Sequence, residues 1–249
     1  MKKYQILIEY VGTGFVGWQI QKNGLSVQEI IQKSLKKLTK KKILVHGSGR
    51  TDAGVHATEQ SAHFETDFFI KDKKNFIKSL NFFLSKYSVS ILKIRNRNNL
   101  FHARYSAKKR TYKYVIINRD SSLSLEKERA WSLRKKLDVN LMKSGAKLMI
   151  GKKDFSTFRA SSCGATSPIR TMEKLNIKKS RDKIELTFVS RSFLQNQVRS
   201  MVGSLEYLSS GKWSIENFKK SFKSKKERNV LHQLQHVVCI YLILNINQN

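Results

Sequence analysis

Between residues 4 and 94 the apolar residues fall into six successive stretches, each with one of two spacings, and their order constrains the fold most strongly. Tyr4, Ile6, Ile8 and Tyr10 alternate with Gln5 and Glu9, the period of a half-buried strand. A loop with Gly12, Gly14 and Gly17 follows, expected to present Phe15 and Trp18. Val27, Ile30, Ile31, Leu35 and Leu38 then line one face of a helix that Ser26 and Glu29 open as a capping box. Lys33, Lys36, Lys37 and Lys40 lie off that face. Residues 43–45 and 60–64 read as strands, and Asp72 opens a second helix with Phe76, Ile77, Leu80, Phe83 and Leu84 inward. Residues 89–94 make a further strand. Strand, helix, strand, strand, helix, strand is the ferredoxin-like order of an α+β unit.

The second half repeats these ingredients. In residues 108–118, Tyr112, Tyr114 and Ile116 share one face, and Lys113, Val115 and Ile117 the other. Aromatic rings on one face of a sheet serve either as core or as a platform for a nucleobase, and both readings stand. Residues 121–134 are polar and mixed, and place a boundary between halves there. Asp138 opens a helix with Leu141, Met142 and Leu148 inward, ended by Gly151. Strands are expected at 171–178 and 183–189. Residues 195–210 form a helix with Val198, Met201, Val202, Leu205 and Leu208 inward, stopped by Gly211, and Ser214 opens a shorter one. Residues 237–246 are almost continuously apolar, as in a strand buried on both faces.

Charge narrows the function. Lys+Arg number 49 against 18 Asp+Glu, a net +31. A polyanion is the natural partner, because phosphate neutralisation releases counterions. Cys163 and Cys239 stand far apart and read as free thiols in a reducing compartment. Of six histidines only His232 and His236 have helical i, i+4 spacing, with no carboxylate at a useful offset, so no metal site is expected. The chain opens without the apolar core of a signal peptide, and residues 237–244 are too short to span a bilayer. A cytoplasmic protein with no membrane partner is the expectation.

One stretch concentrates chemistry: Gly47-Ser48-Gly49-Arg50-Thr51-Asp52-Ala53-Gly54-Val55-His56. Flanked by strands, it is either an ordinary turn whose Asp52 caps an amide or a rigid mount for one carboxylate. Arg50, two residues away, would keep Asp52 ionised and fit for attack or proton abstraction. Arg199, beside Val198 on an apolar helix, is either a helix-surface arginine or a paired functional charge.

Residues 49–56 resemble the signature loop of the tRNA pseudouridine synthase A family. Gly17-Trp18-Gln19 with Gln21, Ser26-Val27-Gln28, Phe101-His102-Ala103-Arg104-Tyr105-Ser106-Ala107, Tyr112-Lys113-Tyr114, Asp154-Phe155-Ser156-Thr157-Phe158-Arg159, and Phe193-Leu194 with Val198-Arg199 and Val202-Gly203-Ser204-Leu205 are also similar, in the same order. Several motifs in one order outweigh any single motif. This chain departs from the family in having Val11 in place of an aspartate, and in lacking Pro and Gly within residues 234–240.

The resemblance implies an α+β fold of two ferredoxin-like halves that share a central, mainly antiparallel sheet flanked by helices. The halves would be residues 1–105, with the catalytic loop, and 106–249, with the active site in a cleft between them. It implies isomerisation of uridine to pseudouridine at positions 38–40 of the tRNA anticodon stem-loop, without a cofactor, by a homodimer. Asp52 would be the catalytic carboxylate. Tyr112 would stack on the flipped uracil, Arg199 would pair with Asp52, Arg50 would displace or hold the base, and Arg104 would bind substrate. Two other classes compete: a basic RNA-binding protein without chemistry, and a metal-dependent nuclease using Asp52, Asp67 and histidines.

Overall fold

The computed structural model describes residues 1–223 and 240–245. Residues 224–239 and 246–249 lie outside the described set, so His232, His236, Cys239 and most of residues 234–240 are not placed. The chain divides into two compact units, residues 1–108 with 241–249, and residues 109–240.

The first unit is built as its periodicities dictate. Strand β1 (Lys2–Tyr10) leads to helix α1 (Val27–Thr39), then β2 (Val45–Gly47), β3 (Ala57–Thr66), helix α2 (Lys73–Leu84) and β4 (Val89–Arg97). The sheet order is β4-β1-β3-β2, with every neighbouring pair antiparallel. That is the ferredoxin-like order, reached because two helical crossovers return the chain to the same sheet. Ser26 caps α1 by accepting from the Glu29 amide, while the Glu29 carboxylate pairs with Lys33. The capping box is thus only half formed. Asp72 caps α2 by accepting from the Asn75 amide.

The two faces of this sheet differ. Tyr4, Ile6, Ile8 and Phe64 share one face, from which Phe64 stacks with Phe76 of α2 (6.5 Å), and these four with Val27, Ile30, Ile31, Leu35, Leu80 and Leu84 of the helices are all at most 1% exposed. Burying each such side chain contributes roughly 1.5–3 kcal/mol. The opposite face carries Gln5, Ser61 and His63, joined across β1 and β3 by a bond from Gln5 Nε2 to Ser61 Oγ (2.9 Å).

In the second unit β5 (Lys109–Asn118) is followed by β6 (Trp131–Leu133), α3 (Val139–Met149), β7 (Gly151–Asp154), β8 (Ile169–Ser180), β9 (Lys183–Ser190), α4 (Gln197–Ser209) and α5 (Ile215–Lys223). The sheet runs β5-β9-β8-β7, antiparallel throughout, and β6 joins β5 in parallel. Together the units give a two-layer α+β protein. Strand β10 (Ile240–Asn245) pairs in parallel with β3 through Leu242 and Ile243. The chain end from Tyr241 therefore belongs to the first unit rather than to a second half running from 106 to 249.

Residues 121–134 are not a boundary either. The Asn118 side chain donates to Leu133 O and Lys135 O and accepts from the Leu137 amide, tying the excursion back onto β5. The inward face of α3 also differs from expectation: Met142, Gly145, Ala146 and Met149 are buried, and Leu141 and Leu148 only partly.

His63 makes the first unit acid-sensitive. It is 2% exposed, and burial, with His102, His46 and Lys3 nearby, pushes its pKa from 6.5 down to about 4. Below pH 6.5 the unfolded chain takes up a proton that the folded chain refuses until about pH 4. Stability is therefore fully present above pH 6.5 and is lost as pH falls through that window. In urea unfolding at pH 7.5 and 4.5, the wild-type protein should lose roughly 2–3 kcal/mol more than the His63→Asn variant. Equal losses would show that His63 is not the responsible group.

Candidate active site

The loop carrying Asp52 joins β2 to β3, and buried groups hold it from both ends. The Ser48 amide donates to Ser61 O (2.8 Å), and Gln60 Nε2 donates to Gly49 O (2.7 Å). Tyr10 Oη and Thr51 Oγ1 share a buried hydrogen bond of 2.9 Å. The Trp18 amide donates to Thr51 O (3.1 Å), and the Gly54 amide to Phe15 O (3.4 Å). The Gly12 amide donates to His56 Nδ1 (3.1 Å), which fixes that nitrogen as unprotonated. Within the loop the Val55 amide donates to Asp52 O (3.2 Å), a tight turn around the aspartate.

Gly12 and Gly17 explain how two loops approach so closely. A Cβ on Gly12 would stand 2.1 Å from Val55 O, and one on Gly17 would stand 2.4 Å from Thr51 O. Gly17 also has φ +114, which L side chains rarely adopt. The N-terminal glycine loop was expected to present Phe15 and Trp18. Both are buried instead, at 7% and 3% exposure, as the bed on which the Asp52 loop lies.

Between Thr51, 7% exposed, and the buried Val55 and His56, Asp52 is half-buried. Its backbone is thus held by hydrogen bonds on both sides while the residue keeps part of its surface open, a geometry compatible with a mount for a carboxylate. Arg50 is exposed, and among the described residues no ion pair joins it to Asp52. The expected Arg50–Asp52 ion pair is therefore not formed. Arg104 is exposed in the same unit, after β4, with its amide donating to His102 Nδ1 (3.2 Å).

Tyr112 and Arg199 lie in the second unit. Tyr114, one pleat further along β5, is 2% exposed and is core. Tyr112, nearer the strand start, is half-buried and packs edge-on against Phe193 (centroids 4.8 Å, 81°). Phe193 precedes α4, whose first turn carries the half-buried Arg199.

A cluster of imidazoles was not anticipated from sequence. His46 on β2 stacks on His63 of β3 (5.1 Å), and His102 approaches both, at 6.0 and 4.6 Å between centroids. Burial, with His46, Lys3 and Arg104 close by, lowers the His102 pKa below its ordinary value. His63 Nδ1 accepts from the Ala103 amide (3.2 Å), so this ring too is used as an acceptor. The signal was present in the alternation of β3, but pairing His46 with His63 requires the register.

A half-buried carboxylate on a pinned glycine loop, in an α+β chain of net charge +31, is an arrangement suited to an enzyme with a polyanionic substrate. Comparison with known proteins sharpens this. The family described as tRNA pseudouridine synthase matches residues 6–106 and 146–239. A protein of Pelagibacter ubique (strain HTCC1062) named tRNA pseudouridine synthase A is 57% identical over 226 residues, covering 91% of this chain and 92% of that protein. Proteins of the same name from Methylocella silvestris and Paramagnetospirillum magneticum are 44% and 41% identical, over 92% and 90% of this chain and 92% and 88% of their own lengths. The chain belongs to the tRNA pseudouridine synthase family.

The loop contacts generate a stability test. Gly12→Ala forces a methyl group against the Val55 carbonyl and should cost about 1–3 kcal/mol in urea unfolding. Gly164→Ala meets nothing within 4 Å and should stay within about 0.5 kcal/mol. Equal effects at the two sites would mean that the loops can separate without cost.

Proposed function

We propose that this protein isomerises uridine to pseudouridine at positions 38–40 of the tRNA anticodon stem-loop, with Asp52 as the catalytic carboxylate. The N1–C1′ bond breaks, the uracil turns, and C5 bonds to C1′; the proton on C5 is lost and N1 gains one. Product and substrate have the same atoms, so the reaction consumes no external reagent. Asp52 either attacks the sugar or base, or abstracts a proton. Tyr112 stacks on the flipped uracil, Arg199 orients Asp52, Arg50 holds or displaces the base, and Arg104 contacts the RNA. The active protein is a homodimer in the cytoplasm.

The observation that carries this reading is the anchoring of the Asp52 loop by Tyr10, Gly12, Phe15, Trp18 and Gln60. Preorganisation of this kind serves a group that must meet developing charge without reorganising. A protein that only binds RNA gains nothing from it. Tyr112 is half-buried beside Phe193, so part of its surface remains open to a base. Arg199 stands in the first turn of α4, where the helix dipole disfavours a cation and an anion beside it offsets the cost. The uracil must leave the stack to be reached, at roughly a few kcal/mol. The net charge of +31 supplies the phosphate attraction that binding requires.

Asp52→Asn should reduce pseudouridine formation on unmodified tRNA transcripts by roughly 10²–10⁴-fold or more while leaving tRNA affinity largely intact. Site mapping of the product places the modified uridine. A wild-type rate in the variant would remove Asp52 from the chemistry. Saturable binding by the wild-type protein with no product under multiple turnover would favour the non-catalytic reading. RNA cleavage abolished by a chelator would favour the nuclease.

A further inference from the structure

Outside the Asp52 loop, the first unit holds one exposed aromatic ring against a stack of other rings. Tyr105 is 75% exposed. Its ring lies 4.4 Å from that of His102, tilted by 34°. His102 in turn meets His63 at 4.6 Å and His46 at 6.0 Å. The Arg104 guanidinium carbon stands 6.0 Å from the Tyr105 ring centroid.

The segment bearing this ring is tied down on all sides. Lys3 Nζ donates to Asn99 O and Phe101 O (2.8 and 2.9 Å). The Phe101 amide donates to Asn98 Oδ1 (3.1 Å), and the Ala103 amide to His63 Nδ1. The Ser106 amide donates to His102 O (2.8 Å), and the His102 amide to Ser106 Oγ (3.1 Å). Single exposed apolar residues are common on protein surfaces. This one differs in having a rigid mount, a supporting stack and an arginine beside it. A ring so held loses little conformational freedom when something lies on it.

The charges around it select the occupant. Arg104 is the cation beside the ring; Lys3, close to His102, is paired with Glu65, and Arg97 lies over Phe101. A flat ring with a guanidinium beside it fits a base and its phosphate, since every base has a face to stack and every nucleotide an anion. Position fits as well. His46 lies in the stack and on β2, which runs straight into the Asp52 loop. The chain from His46 to Asp52 reaches no further than about 22 Å when fully extended.

We propose that Tyr105 is a stacking platform for an unpaired nucleobase of the RNA substrate near the modified uridine, with Arg104 on an adjacent phosphate. This rests on the RNA-modifying function read above and adds a second contact to it.

The test measures affinity for unmodified tRNA at several salt concentrations in Asp52→Asn protein, alone and combined with Tyr105→Ala, Tyr105→Phe or Arg104→Ala. Tyr105→Ala should weaken binding roughly 5–50-fold with an unchanged salt slope, because stacking releases no counterions. Tyr105→Phe, which keeps the ring, should bind within about twofold of the parent, and this separates lost stacking from a damaged fold. Arg104→Ala should flatten the slope of log K against log salt by about 0.7–0.9. Unchanged affinity in Tyr105→Ala, equal losses in Phe and Ala, or a flattened slope in Tyr105→Ala would each overturn the platform. Unchanged RNA affinity with lost self-association would assign the ring to a protein partner instead. Binding is read apart from product, so wild-type protein that binds tRNA through Tyr105 yet makes no pseudouridine overturns the proposed reaction and keeps the platform.

Discussion

The contact on which the rest of the first unit turns is backbone against backbone, between the glycine loop after β1 and the loop that carries Asp52. Trp18 N–H meets Thr51 O, and Gly54 N–H meets Phe15 O. The same glycine loop serves the start of α1, where the Val27 and Gln28 amides donate to Gly17 O and Trp18 O. These amides have no partners within the helix, so the loop completes the helix and the helix braces the loop. The Gln28 and Gln32 side chains then bond both sides of the Val45 peptide on β2. Strand, loop and helix therefore form a closed circuit around Asp52. A disturbance at Gly12 or Gly17 would be felt by the carboxylate without touching it.

A second organising feature is the contrast between the faces of the first sheet. One face is apolar and packs the helices. The other holds Gln5, Ser61, His63 and the imidazoles stacked on it. Keeping imidazole nitrogens as acceptors for the Ala103 and Arg104 amides requires those rings to stay neutral at those atoms. The depressed basicity of His63, caused by burial with His102, His46 and Lys3 nearby, suits that acceptor role. The benefit is a fixed course for the segment from Phe101 to Ser106, which carries Arg104 and Tyr105 at the surface.

Much of this fold was legible in local sequence, because caps and periods are local. Ser26 and Asp72 cap the helices they were expected to cap, and the six elements of the first unit occur in the expected order. The errors came where a local pattern had two physical uses. Polar residues 121–134 look like a linker, but polarity equally suits a surface excursion held to β5 by the pairing of β6 and by Asn118. The loop of Gly12 and Gly17 suggested presentation of Phe15 and Trp18, but the missing side chains serve a close approach and both rings are buried. Arg50 and Asp52 look like a pair because they are near in sequence, and sequence proximity says nothing about direction in a turn. The histidine cluster was hidden for a different reason: its members are on β2, β3 and the segment after β4, and only strand register brings them together.

Charge and geometry divide the work of recognition. A net charge of +31 draws RNA to the surface and speeds encounter, but phosphate is the same at every nucleotide. Choice among uridines has to come from groups whose positions are fixed. Lysine is a poor choice for this, since its long stem leaves the charge mobile. Among the described residues, the candidates for that proposed role are the carboxylate on a pinned turn, the tyrosine beside Phe193 and the ring against the histidines. An excess of mobile cations also raises a difficulty that the fixed groups must solve. A carboxylate repels the phosphates that the lysines attract, so Asp52 reaches its target only if the loop holds it against that repulsion. The buried bonds at Thr51 and His56 fix the loop on both sides of Asp52, which is what the proposed role of that aspartate requires.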